Sequence, residues 1–168
     1  MKDTIKIKIE IENMGTMTAE LYPDKAPATV ANFTKLIKDG FFNGLIFHRV
    51  IKGFMIQGGG FDADFNPKKA DSIRGEFRQN GFFANDIKHT RGVLSMARTS
   101  DPNSASSQFF IMHADAPHLD GAYAAFGKVT DGLEVIDSVA SVKTVSRGWY
   151  DDVPREPVTI KSITFVND

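Results

Sequence analysis

The chain has 168 residues, 42% hydrophobic and 24% charged, with a formal net charge of -1. That length fits one domain whose core holds itself together without disulfides or a structural metal, and the balanced charge excludes the basic face that nucleic-acid binding needs. There is no cysteine, so thiol catalysis and cysteine-bound zinc are excluded too.

Met1-Lys2-Asp3-Thr4 runs directly into alternating isoleucine and charge, without an apolar leader. No run approaches the ~18 apolar residues of a membrane span. The expected setting is the cytoplasm, with no membrane partner, so Asn32-Phe33-Thr34 reads as ordinary chain rather than a glycosylation acceptor. Ile5, Ile7, Ile9 and Ile11 alternate with Lys6, Lys8, Glu10 and Glu12, the period of a half-buried strand. Asn13-Met14-Gly15 is a turn, and Met17, Ala19 and Leu21 continue into a hairpin partner. Val30, Phe33, Leu36 and Ile37 then take helical spacing, between Pro27 at the start and Gly40 at the end.

Short apolar runs follow at 45–51, 54–57, 92–97, 108–112 and 124–129, and the polar stretch 61–72 reads as an exposed loop. Leu133, Ile136, Val139 and Ala140 predict a second helix, and Val158, Ile160, Ile163 and Phe165 a closing strand. Many short strands with two helices predict a mainly β domain spanning 1–168, a closed antiparallel barrel or a sandwich, with the helices plugging the open ends.

Several motifs have plain explanations. Gly58-Gly59-Gly60 lacks the Lys-Ser/Thr of a phosphate loop and reads as a strand exit. Ser104, Ser106 and Ser107 have no G-x-S-x-G elbow around them and read as a polar loop. HADAPHLD offers His113, Asp115, His118 and Asp120 to a metal, but the tight spacing and Pro117 favour a turn.

Two strands are more informative. In FHRVIKGFMIQGGG, alternation puts Phe47, Arg49 and Ile51 on one side and His48 and Val50 on the other. In SQFFIM, Gln108, Phe110 and Met112 share one face while Phe109 and Ile111 share the opposite one. Both faces of this strand are apolar, and a barrel has one inside. The outward face is either a binding patch with Gln, Met and Arg nearby or a surface buried under a helix or loop.

FHRVIKGFMIQGG, GVLSMART, SQFFIMHADAPHLDG and AAFGKV, in that order along nearly the whole chain, resemble the cyclophilin family of peptidyl-prolyl cis-trans isomerases, its bacterial members in particular. The resemblance implies an eight-stranded antiparallel barrel closed by two helices, with the active site on its outer wall. It implies isomerisation of X-Pro bonds during protein folding, with no covalent intermediate and neither metal nor other cofactor. Position by position, the catalytic arginine falls on Arg49 and its glutamine neighbour on Gln57. The proline pocket falls on Phe54, Met55, Phe110 and Leu119, and substrate-backbone contacts on Ala97 and Arg98 with Gln108 beside them. His48, His118 and Tyr123 complete the binding residues. His118 stands where many eukaryotic members have Trp, Tyr123 where many have His, and Arg98 replaces a common Asn. The 61–72 loop replaces a Gly/Thr-rich segment, which alters the surface preceding proline. The implied partners are proline-containing peptides and flexible protein segments. Cyclosporin is expected to bind weakly for want of the indole, and a monomer is expected. A proline-binding module without turnover is the alternative from another class; retention of Arg49, Phe54, Met55, Gln57 and Phe110 together argues against it.

Overall fold

Alternating isoleucines build strand β1 (Ile5–Ile11), which pairs antiparallel with β2 (Gly15–Leu21). Asn13 and Gly15 take the positive φ values, 64° and 120°, that turn the chain between them. The computed structural model describes residues 4–166. The ends of the expected 1–168 domain, including Met1–Asp3 of the expected leaderless start, lie outside the described residues.

Helix α1 (Pro27–Lys38) buries Val30, Phe33, Leu36 and Ile37. Its N-cap, Ala26, has no side chain to offer the free amides. Buried Glu76 takes that part from a distant loop: one carboxylate oxygen accepts from Thr29 N and Thr29 Oγ1, both at 2.7 Å, and the other from Ala28 N at 3.2 Å. A carboxylate at a helix N-terminus also meets the positive end of the helix dipole.

The remaining strands are β3 (Arg49–Ile51), β4 (Met55–Gly58), β5 (Val93–Met96), β6 (Phe109–Met112), β7 (Ala125–Asp131), β8 (Thr144–Arg147), β9 (Tyr150–Pro154) and β10 (Ile160–Phe165), with helix α2 (Leu133–Ala140) after β7. Eight of the ten described strands form one antiparallel sheet in the order β10-β1-β2-β7-β5-β6-β4-β3, and β8 with β9 makes a separate hairpin. The second helix and the strand pattern match the sequence reading; the hairpin was not foreseen in it.

The closed barrel is corrected to a curled half-barrel, because β3 and β10 are the two edges and do not pair. They are tacked together only ahead of the strands, where Phe47 N donates to Val158 O at 2.9 Å and Ile160 N to Leu45 O at 2.7 Å around a single bridge, Ile46 with Thr159. Ile46 and Thr159 sit between those two bonds, and among the described residues the pairing does not continue to His48 and Pro157. The same break corrects the expected facing of this segment. β3 begins at Arg49, so Phe47 joins the inner core with Val50 while Arg49 is exposed.

Phe33 organises the inner core, its ring 4.8 Å from Phe42, 4.9 Å from Phe126 and 5.3 Å from Phe109. On the other side of β6, Phe110 and Met112 form a second cluster with Met55, Val93, Leu119 and Ala125. Glu76→Ala strands the two amides and the Thr29 hydroxyl, and is expected to lower stability by about 2–3 kcal/mol. Urea denaturation should show a lower midpoint at an unchanged slope.

Candidate active site

Four strands carry one row of side chains across the outer wall. Arg49 pairs with Gln57, Gln57 with Phe110, and Phe110 with Ser95. Directly paired residues of neighbouring antiparallel strands project from the same face. Phe54, from the turn between β3 and β4, and Leu119, from a 3₁₀ turn at Pro117–Leu119, close over this row.

The result is a cavity of about 110 Å³ lined by Arg49, Phe54, Met55, Gln57, Ala97, Arg98, Phe110, Leu119 and Tyr123. Drug-sized ligands need about 300–1,000 Å³; this one has the scale of a single ring. Phe54, Met55, Phe110 and Leu119 give it an apolar floor, Gln57 and Arg98 add polar wall, and the exposed guanidinium of Arg49 stands at its edge.

A polar chain holds that guanidinium. Arg49 Nη1 donates to Gln57 Oε1 over a long 3.4 Å, and Gln57 Nε2 donates to Gln108 Oε1 at 3.0 Å. The Gln108 side chain needs room, and Gly60 supplies it. A Cβ there would lie 2.6 Å from Gln108 Cδ. A Cβ at Gly59 would lie 2.8 Å from Ser107 O, so the glycine run is a close-packing device at the strand exit.

Arg98 is fixed rather than free. Its Nε and Nη2 donate to Ala122 O at 3.2 and 2.8 Å, and its guanidinium lies 4.9 Å from the Phe77 ring centre and 4.7 Å from that of Tyr123. Behind Phe110 runs a relay that sequence reasoning missed, buried at His89 and Ser95 and half-buried at Asp120. Asp120 Oδ1 lies 3.2 Å from His89 Nδ1, and His89 Nε2 lies 2.8 Å from Ser95 Oγ. The imidazole stacks on Phe110 at 6.0 Å. Burial lowers the His89 pKa, with Asp120 pulling the other way. The available signal was a serine inside the otherwise apolar run Val93–Met96.

Three expected binding residues sit outside the cavity lining. Gln108 lies behind Gln57 and lines the adjoining cleft with Thr99, Ser104 and Ser106. Exposed His118 stacks on Phe54 at 5.8 Å, at the rim. His48 is buried on the far side of Arg49, and its burial, then the Arg49 charge, push its pKa down to about 4.

The four HADAPHLD side chains diverge. His113 Nδ1 accepts from Gly53 N and its Nε2 meets Asp137, while Asp115 accepts from Arg91 N and Asp120 serves His89. The 61–72 loop is mostly exposed, as expected, except at Phe61, which is buried and stacked on Phe65 at 4.7 Å.

Comparison with known proteins decides the family. The family model described as "Cyclophilin type peptidyl-prolyl cis-trans isomerase/CLD" matches residues 6–165. The chain belongs to the cyclophilin family. A peptidyl-prolyl cis-trans isomerase of Acinetobacter baylyi is 46% identical over 157 residues, covering 90% of this chain and 80% of that protein. Peptidyl-prolyl cis-trans isomerase B of Escherichia coli is 42% identical over 161 residues, covering 90% and 94%. The crystal structure of a Cryptosporidium parvum cyclophilin superposes with a TM-score of 0.82 at 29% identity, covering 99% of both chains. This cyclophilin is therefore an isomerase of X-Pro peptide bonds, and the fold expected from its sequence is right in kind.

Gly60→Ala is expected to push Gln108 out of its place and lower kcat/KM toward an X-Pro peptide about tenfold. The near-UV spectrum should be unchanged, and a parental rate would show that the Gln108–Gln57 contact does not matter.

Proposed function

We propose that Arg49 is the catalytic group of this isomerase and acts by a hydrogen bond to the prolyl nitrogen. The observation that carries the reading is the placement of one tethered guanidinium at the mouth of a ring-sized cavity with an apolar floor. A relative's structure determined in the presence of the dipeptide Ala-Pro, with a TM-score of 0.80 at 30% identity over 97% of this chain, supports proline as the occupant.

Rotation about a peptide bond costs about 18–20 kcal/mol because amide resonance is lost. Uncatalysed X-Pro isomerisation takes roughly 10–100 s, so millisecond turnover requires about 10⁴-fold, or roughly 5.5 kcal/mol. As the bond twists, the prolyl nitrogen pyramidalises and gains a lone pair, which the planar ground state lacks. A donor aimed there binds the twisted state better than either planar isomer. Gln57 and Gln108 hold the donor in place. Phe54, Met55, Phe110 and Leu119 grip the proline ring while the main chain at Ala97 and Arg98 holds the preceding residues, so one half of the substrate turns against the other. No bond to the protein forms and no proton moves. Flexible proline-containing segments of folding proteins are the natural substrates on this reading. His118 at the rim offers less apolar area than an indole would, which supports weak binding of cyclosporin.

Arg49→Ala is expected to lower kcat/KM about 10²–10³-fold with the fold intact, since the side chain is exposed. Arg49→Lys should be nearly as poor, because a point charge does not reproduce the planar donor fork. A guanidinium keeps its proton throughout the working range, and His48, held near 4, is neutral across it. The rate should therefore be flat between about pH 6 and 9. A bell-shaped profile centred near 6.5 would put a histidine in the mechanism and remove Arg49 from its role.

A further inference from the structure

The unforeseen hairpin β8–β9 leans on the edge strand that carries Arg49. The pair just below its tip is anchored in an aromatic cluster: Tyr150 lies 5.4 Å from Phe61, 5.2 Å from Phe65 and 6.4 Å from His48, and the Arg147 guanidinium covers Phe65 at 4.5 Å. Its tip, a turn through Gly148 at φ 61°, holds out Trp149, the sole tryptophan, at 99% exposure. Tryptophan is highly buried on average, and here a firmly seated hairpin presents one entirely to water.

Between tip and sheet lies a cleft of about 270 Å³ lined by His48, Arg49, Trp149, Tyr150, Asp151 and Asp152. Two features of the lining are unused within the protein. Among the described residues, His48 Nδ1 is the buried side-chain polar atom with no partner in the protein, and a buried group of that kind calls for an explanation. Asp151 Oδ1 accepts from Ser146 Oγ at 2.8 Å, but neither aspartate takes part in an ion pair among the described residues. The two carboxylates outweigh the Arg49 guanidinium at the edge of the cleft, and with an indole and a phenol beside them they can hold a cation through charge and through the ring faces.

We propose that this cleft is a specificity subsite for a lysine or arginine side chain on the segment following the substrate proline. The direction comes from the sheet order. Ala97 and Arg98, which carry the preceding residues, continue β5, whereas the cleft lies beyond β3, across β6 and β4 from them. The inference rests on Arg49 as the group that receives the proline.

The test compares a short X-Pro core peptide with extended versions bearing Lys, Glu, Phe or Ala one to three residues after proline. The Lys peptide is expected to exceed the Ala peptide in kcat/KM by about threefold to tenfold. That advantage should vanish in Trp149→Ala and shrink in the Asp151→Asn, Asp152→Asn double variant, with the core peptide turned over at the parental rate in both. Binding of the Lys peptide should also shift the Trp149 emission. Equal rates for Lys and Ala, a preference for Phe over Lys, or an advantage that survives Trp149→Ala would each overturn the proposal. Turnover of the core peptide reports on the active-site reading alone, so a silent cleft and a misplaced active site give different results.

Discussion

Strand β6 (Phe109–Met112) has apolar side chains on both faces, and a single sheet has one interior to give them. Phe109 and Ile111 fill the inner core with the Phe33 cluster. Phe110 and Met112 are left to the outer wall, where the Pro117–Leu119 turn and Phe54 cover them from the sides. The cover leaves a ring-sized opening over Phe110. Complete burial would make this second cluster ordinary core, and full exposure would make it a sticky patch. The functional surface exists because the outer cluster is covered nearly to closure, with the Asp120–His89–Ser95 relay supporting Phe110 from behind.

Much of this was legible in the sequence, for identifiable reasons. Strict alternation in Ile5–Ile11 and helical spacing in Val30–Ile37 each left a single structural solution. The two-faced character of Gln108–Met112 was visible from period alone, although whether its outer face is open or covered was not; it proved to be both, an apolar floor beneath a partial lid. Phe54, Met55, Phe110 and Leu119, placed in the proline pocket by family resemblance, share one cavity with Arg49 and Gln57, because cross-strand pairing puts Arg49, Gln57 and Phe110 in one row.

What escaped has physical causes as well. Closure failed because the two edges meet only at Ile46 with Thr159, a pairing between residues more than a hundred positions apart that no local pattern reveals. The hairpin Thr144–Pro154 carries Gly148, Asp151 and Asp152, residues that read as loop; it holds together through Tyr150 on Phe61 and Phe65, contacts made only in the fold. For the same reason the 61–72 loop read as wholly exposed, since nothing local announces that Phe61 has a distant ring to sit beneath. Both misses lie on the flank of Arg49, where the proposed subsite is.

Arg49 acts, on this view, only because Gln57 holds it, and a double-mutant cycle between the two measures that dependence directly. Gln57→Ala is expected to lower kcat/KM about tenfold when Arg49 is present and to have almost no effect in the Arg49→Ala background. Such strong coupling would place both side chains in one device aimed at the prolyl nitrogen. Equal losses in the two backgrounds would show that Gln57 serves the substrate independently and that the guanidinium needs no tether, which contradicts the mechanism.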